Sequence, residues 1–479
     1  MMSEQLGVTV KKDENFSEWY VQVVVKSDLA DYAPVKGCMV IKPLGYAIWE
    51  KIQEIFNNMI KDEVRNVYFP MFIPERLLKK EAEHFEGFSP EVAWITHGGK
   101  KKLEERLAVR PTSETIMYEY FSKWIKSWRD LPLRINQWCN VVRWETKSTK
   151  LFIRTREFLW QEGHTAHVTK EEADEEVVKR LMQYKELMEK YLAIPVLIGK
   201  KSEGEKFKGA LYTMTVEAFM PDGKALQMGT SHNLGQNFSR VFNIKFFDKN
   251  EKEKFVWQTS WGISTRLIGA IVMVHGDDRG LVLPPKIAPI QIVIVPIYYS
   301  EKEKKKVFEK SKEIKERLDS RYNVEMDLRE QYTPGYKFNE WELKGVPVRI
   351  EIGPKDIEEK SLVVFRRDKM ERVKIKEEKL EEFIQKLMND IQNNLFEKAK
   401  KFLESRIIEV NDKDEFGRLA KEGVMIKIDW CGDMDCEEFI NESFDVSCRL
   451  LSIEDTPKLD KCPICGKKAK FVAYFSRGY

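Results

Sequence analysis

Two short strings pose the chemical question. Arg143-Trp144-Glu145 is soon followed by Arg154-Thr155-Arg156-Glu157-Phe158-Leu159-Trp160-Gln161-Glu162-Gly163-His164. Both mix charge with aromatic and aliphatic residues, so both read as buried strands. Residues two apart on a strand share a face. Arg143 then points with Glu145, and Arg154 with Arg156, Phe158, Trp160, Glu162 and His164. Charge on a core strand is costly without a partner. The stretch is therefore expected to floor a pocket for a ligand with an acidic part, a basic part and a flat ring.

Other strings carry chemistry of their own. Cys431 and Cys436, then Cys462-Pro463-Ile464-Cys465-Gly466, form two close pairs separated by a longer loop. That spacing can close a tetrahedral zinc site of four thiolates with a structural role, the alternative being four free buried thiols. Cys448 is left over as a small core residue. Arg110-Pro111-Thr112-Ser113-Glu114 sits where a loop meets a helix. It is either a capping box or a place where Thr112 and Glu114 grip a substrate amine. In Gln227-Met228-Gly229-Thr230-Ser231-His232, strand parity separates Gln227 from His232 unless the chain leaves regular geometry near Gly229. Ser264-Thr265-Arg266 precedes an apolar run at 267–274.

These groups need elements to hold them. A chain of 479 residues implies two to four domains. Helix signals at 45–59 and 113–127 accompany strand-like runs at 67–73, 133–146, 151–163, 225–231 and 268–275. Consecutive strands suggest a mostly antiparallel sheet with flanking helices. Beyond Pro284-Pro285 and Pro289 the texture changes. Strands at 290–295, 346–352 and 362–365 alternate with helices at 301–321 and from 377 onward, predicting a small α/β domain with a partly parallel sheet. A third unit holds the cysteine cluster. The fold class is α+β, with expected domains at 1–285, 286–400 and 401–479.

Composition narrows the setting. No apolar run is long enough to span a membrane, and Met1-Met2-Ser3-Glu4-Gln5 does not begin a secretory signal. Seven cysteines, an odd number, argue against a disulfide scaffold and for a cytoplasmic protein. With 81 basic and 78 acidic residues, a nucleic-acid partner must be met by local patches.

Together the strings resemble the three signature motifs of class II aminoacyl-tRNA synthetases. The helix leading into Val67-Tyr68-Phe69-Pro70 resembles motif 1, Arg143-Trp144-Glu145 with residues 154–158 motif 2, and Arg266 at the head of the last helix motif 3. Gly37-Cys38-Met39-Val40-Ile41-Lys42-Pro43, the strings at 110–114, 156–164 and 229–232, the four cysteines and the terminal Tyr479 resemble prolyl-tRNA synthetases of the archaeal and eukaryotic kind.

The resemblance implies activation of L-proline by ATP with Mg²⁺, then transfer to tRNA(Pro). It implies an ATP site of Arg143, Glu145, Arg154, Phe158, Gln227, Thr230, Ser264 and Arg266, with Arg143 and Arg266 catalytic. It implies a proline pocket of Thr112, Glu114, Arg143, Trp160, Glu162, His164, Phe207 and His232. Arg156 is left as a partner for a neighbouring carboxylate. A structural Zn²⁺ on Cys431, Cys436, Cys462 and Cys465, and a homodimer built through motif 1, are further implications. Residues 286–400 resemble an anticodon-binding domain, where Arg349 and Asp356 are candidates for tRNA contact or for a solvated charge pair. The interval between Arg143 and Arg266 is too short for the editing insertion of some bacterial relatives. A sister synthetase for threonine, serine or glycine, and a catalytically dead tRNA-binding paralogue, are the competing readings.

Overall fold

Extended runs pair into one eleven-stranded sheet in the computed structural model, which describes residues 7–82, 92–145 and 148–479. The N-terminal pentapeptide and Thr146 lie outside the described residues. At the centre, Leu133–Val142, Glu157–His167, Trp257–Ser264, Ala225–Gly235, Tyr212–Phe219 and Leu197–Lys200 lie side by side, all antiparallel.

The two faces of this sheet differ. Met214, Val216, Ala218, Trp261 and Ile263 belong to the main apolar core, together with residues of the helices Pro43–Ile60, Lys170–Glu186 and Arg266–His275. The alternate residues are Thr213, Thr215, Glu217, Gly262 and Ser264, and the pleat turns them the other way. The substrate-sized cavity lies on that polar face.

Four expected strands take other forms in whole or in part. Residues 268–275 belong to the helix Arg266–His275, which is buried nearly all round. A fully buried helix shows no apolar period, so its sequence cannot be told from a core strand. Only Arg65–Asn66 and Phe72–Pro74 are strands around 67–73. Arg143, Trp144 and Glu145 follow the end of Leu133–Val142, and the next strand starts only at Glu157. Between them Lys150 and Arg154 close a tight turn, Arg154 N donating to Lys150 O at 2.9 Å. Arg143 and Arg154 therefore reach the cavity from loop positions and not through strand parity.

The second sheet runs Val324–Met326, Ile292–Pro296, Val348–Ile352, Ser361–Arg366 and Glu371–Lys376. The first three are parallel and the rest antiparallel, which matches the partly parallel expectation. The helix Leu380–Arg406 runs straight through the expected boundary at 400. Beyond it, Ile407–Glu409, Met425–Trp430, Phe471–Ser476 and Ser447–Ser452 form the end of the eleven-stranded sheet. Leu451 and Ser452 pair with Lys200 and Gly199, so the C-terminal module extends the central sheet. Among the described residues no helix is long and apolar enough to cross a membrane.

Candidate active site

A one-residue bulge arranges the cavity floor. Val216 pairs with Gly229, but the next residue, Glu217, pairs with Gln227, leaving Met228 as the extra residue. The insertion reverses parity. It puts Gln227 on the same face as Thr230 and His232, and all three line a cavity of about 540 Å³. The irregularity that the sequence left open near Gly229 is thus real.

Two arginines stand over that floor. Arg143 Nε donates to Pro111 O at 3.1 Å, and the guanidinium lies 5.5 Å from the Phe158 ring and 5.4 Å from the Trp160 ring. Arg266 heads its helix and donates to Ile153 O at 3.1 Å and Gln227 O at 3.2 Å. Burial lowers the pKa of both; for Arg266, with Arg154 and Arg143 nearby, it falls to about 10. Neither forms an ion pair among the described residues. Guanidinium groups that line a cavity with donors in reserve make a strong anion site. A second cavity of about 330 Å³, reached by Glu145 and Arg154, shares Arg143, Phe158, Ser264 and Arg266 with the first. Two adjoining cavities therefore meet at the two arginines.

Thr112, Glu114, Trp160, Phe207 and His232 line the larger cavity. Thr112 Oγ1 donates to the Glu114 carboxylate. His232 Nδ1 lies 2.8 Å from Thr213 Oγ1, and its ring centroid is 5.1 Å from that of Phe207. Burial, then the charge of His164, pushes His232 down to about 3, so it is neutral near pH 7.

Glu162 and His164, expected in the pocket wall, sit behind it, 3% and 1% exposed. Helix Glu114–Trp124 covers their end of the strand. Glu162 accepts from Ser113 Oγ, from Gln137 Nε2 at 3.1 Å and from His164 Nε2 at 3.1 Å, while Tyr118 OH is 3.0 Å from His164 Nδ1. Burial opposes the charged form of each, but the hydrogen bond and charge between them prevail. Glu162 is held below its ordinary pKa and His164 above its own.

Further expectations are corrected. Among the described residues Arg156 pairs with no carboxylate; it donates to Glu145 O and Lys36 O, with its guanidinium 4.3 Å from the Trp144 ring. Arg349 is 2% exposed, paired with Glu342 and Glu351, and sandwiched between the Phe338 and Phe365 rings at 4.0 and 4.1 Å. A guanidinium so enclosed does not reach RNA. Asp356 caps the helix Pro354–Glu358 by accepting from Gly353 N at 2.9 Å. Lys201, Glu205 and Thr213 also line the larger cavity and were missed. Lys201 and Glu205 come from a charge-rich connection that resembles a solvated loop. Thr213 opens a strand that the apolar pattern did not single out.

The four thiols of Cys431, Cys436, Cys462 and Cys465 lie within 4.8 Å of one another. Thiolates on a tetrahedral zinc stand about 3.8 Å apart, given Zn–S bonds of about 2.3 Å. Trp430 Nε1 donates to Cys436 Sγ at 3.4 Å, support of the kind thiolate ligands receive. Donor set and spacing fit zinc.

Comparison with known families is consistent along the chain. The tRNA synthetase class II core domain (G, H, P, S and T) matches residues 97–275, the anticodon binding domain residues 291–387, and the prolyl-tRNA synthetase C-terminal family residues 413–479. A proline–tRNA ligase of Natranaerobius thermophilus is 53% identical over 98% of this chain and 97% of its own. That of Alkaliphilus oremlandii is 54% identical over 97% and 96%. A proline–tRNA ligase 2 of Bacillus cereus is 50% identical over the whole of both chains.

Proposed function

The chain belongs to the prolyl-tRNA synthetases of class II, and from that membership we propose how the residues around Arg143 divide the work. The enzyme attaches proline to tRNA in two steps. A proline carboxylate oxygen attacks the α-phosphorus of ATP and the bond to pyrophosphate breaks. A hydroxyl of the tRNA 3′-terminal ribose then attacks the activated carbonyl and AMP leaves.

The observation that carries the assignment is the meeting of two cavities at two arginines without carboxylate partners among the described residues. Arg143 faces both and bridges the proline carboxylate and the α-phosphate, stabilising charge as it develops on phosphate oxygens. Glu145 accepts from the adenine amino group, Phe158 and Arg266 flank the ring, and Arg154 meets the γ-phosphate. Gln227, Thr230 and Ser264 complete the ATP side, and Mg²⁺ arrives as part of the ATP complex. Thr112 and Glu114 take the protonated secondary amine, Trp160 and Phe207 enclose the proline ring, and neutral His232 closes the wall. Glu162 and His164 hold that wall from behind.

Zinc on the four cysteines would brace the turn at 462–466 and the start of the helix Met434–Phe444. The cysteine quartet and terminal Tyr479 support the archaeal and eukaryotic kind as one of architecture, since the relatives named above are bacterial. We place the enzyme in the cytoplasm as a homodimer through motif 1. For the anticodon, the outer ends of the parallel strands are favoured. There Tyr299 is 89% exposed, and Tyr332 stacks on Tyr336 at 4.4 Å beneath Arg329.

ATP–pyrophosphate exchange with proline, cysteine, alanine and threonine tests the assignment. Proline should dominate, with alanine and cysteine as weak competitors, because a missing methylene is worth only about 1–3 kcal/mol. Exchange driven by threonine and not by proline overturns the pocket.

A further inference from the structure

The connection between Leu197–Lys200 and Tyr212–Phe219 contributes Lys201, Glu205 and Phe207 to the cavity wall. Part of its hold is local: Lys201 N donates to Thr213 O at 2.8 Å and Phe207 N to Thr213 Oγ1 at 3.1 Å. The rest comes from the C-terminal module. Ser202 Oγ donates to the Glu437 carboxylate, which also accepts from the backbone of Gly204. A Cβ on Gly204 would lie 2.9 Å from a Glu437 oxygen, so the approach is as close as glycine permits. Lys201 Nζ donates to Arg449 O at 2.7 Å and to Glu217 at 2.8 Å, and the Arg449 guanidinium holds the other Glu217 oxygen at 2.9 Å. Glu217 is fully buried, Ser202 and Glu437 nearly so. Buried charges with matched partners fix geometry, because every alternative leaves one unpaired.

Glu437 directly follows Cys436, in the first turn of the helix Met434–Phe444. We propose that Glu437 is a positioning residue for the amino-acid pocket: it fixes residues 202–207 so that Phe207 and Glu205 face bound proline, and it joins the four-cysteine module to substrate selection. The inference rests on the assignment of this cavity to proline. A pocket that rejects alanine by shape depends on a wall held in place, and this wall is held from a module more than two hundred residues away in sequence.

The test uses the full-length protein as Glu437→Ala, Glu437→Gln and Ser202→Ala, with zinc content and ATP–pyrophosphate exchange measured against proline, alanine and ATP. Losing hydrogen bonds to a charged group should raise the proline KM about tenfold in Glu437→Ala and Ser202→Ala. The preference for proline over alanine should narrow, with the ATP KM and zinc content unchanged. Glu437→Gln keeps an acceptor and should restore most of the affinity. An unchanged proline KM in zinc-replete Glu437→Ala overturns the proposal. If that variant loses zinc or does not fold, Ser202→Ala decides, because its side chain lies outside the cysteine cluster. Phe207→Ala separates the two layers: if it too leaves the proline KM unchanged, the pocket assignment fails, and if it alone raises the KM, only the role of Glu437 fails.

Discussion

The catalytic cavity and the second domain use arginine in opposite ways: Arg349 and Arg367 are buried, whereas Arg143 is exposed in its cavity and Arg266 is half-buried. Arg349 and Arg367 have every side of the guanidinium engaged. Arg349 grips Glu342 and Glu351 between two aromatic rings, and Arg367 grips both oxygens of Asp277 at 2.6 and 2.7 Å while donating to Glu342 O. Among the described residues Arg143 and Arg266 donate only to backbone carbonyls, and carboxylates act on Arg143 through space alone. A buried cation that is fully paired is scaffold, and breaking the pair leaves an uncompensated charge. A cation that lines an open cavity with donors to spare is unfinished without a ligand. Pairing and burial together separate the two roles.

The comparison breaks most readily at its ends. Arg143→Ala should reduce proline-dependent exchange about a thousandfold, the scale of losing a donor aimed at developing charge. Thermal stability should change little, because Arg143 is exposed in the cavity and forms no ion pair among the described residues. A variant that melts early and yet exchanges normally would make Arg143 scaffold. Arg349→Ala should do the reverse, costing about 3 kcal/mol in urea denaturation with near-normal exchange by the folded protein. Lost exchange in a stable Arg349→Ala protein would erase the distinction.

The same contrast explains how much was legible beforehand. Arg143, Glu145, Phe158 and Arg266 were assigned through the resemblance, and the fold brings them to the two adjoining cavities, although the strand parity first used to group them does not apply to Arg143 or Arg154. Gln227 needed a bulge at Met228, which a sequence hints at only through Gly229. Glu162 and His164 obey strand parity, but parity does not say which helix covers that end of the strand. Arg349 was misplaced because a charged residue on a strand reads alike whether it meets RNA or two buried glutamates. Residues 268–275 were misread because a helix buried on all sides has no period. The fold class and the partly parallel second sheet were legible, since they rest on alternation and element order. The docking of residues 201–207 on Glu437 was not, because it joins two charge-rich segments far apart in sequence.

Histidines sharpen the comparison on a smaller scale. His164 is paired and held above its ordinary pKa, whereas His232 is half-buried, has no carboxylate partner among the described residues and is pushed down to about 3. Between pH 3 and 6.5 the unfolded chain binds a proton that folded His232 refuses. Its contribution to stability is therefore complete above about pH 6.5 and is lost as the pH falls through that window. His232→Gln does not titrate and should flatten the acid limb of a stability–pH curve by about 1.4 kcal/mol per pH unit. An unaltered acid limb would mean that His232 is protonated in the fold.

The smallest effect is expected at the rim of the second domain. Asp356 lies at a surface that RNA could approach, and its sequence setting admits either RNA contact or a structural duty. In the fold one of its oxygens accepts from Gly353 N, closing the first turn of the helix Pro354–Glu358, where a carboxylate also meets the positive end of the helix. If charge in this domain is scaffold throughout, Asp356→Ala should cost about 1 kcal/mol, the usual scale for a lost cap, and leave the tRNA KM in aminoacylation unchanged. A raised tRNA KM with unchanged stability would show that the capping oxygen is the lesser of its two partners. The rule drawn from Arg349 would then hold only for the buried charges of the domain and not for those at its rim.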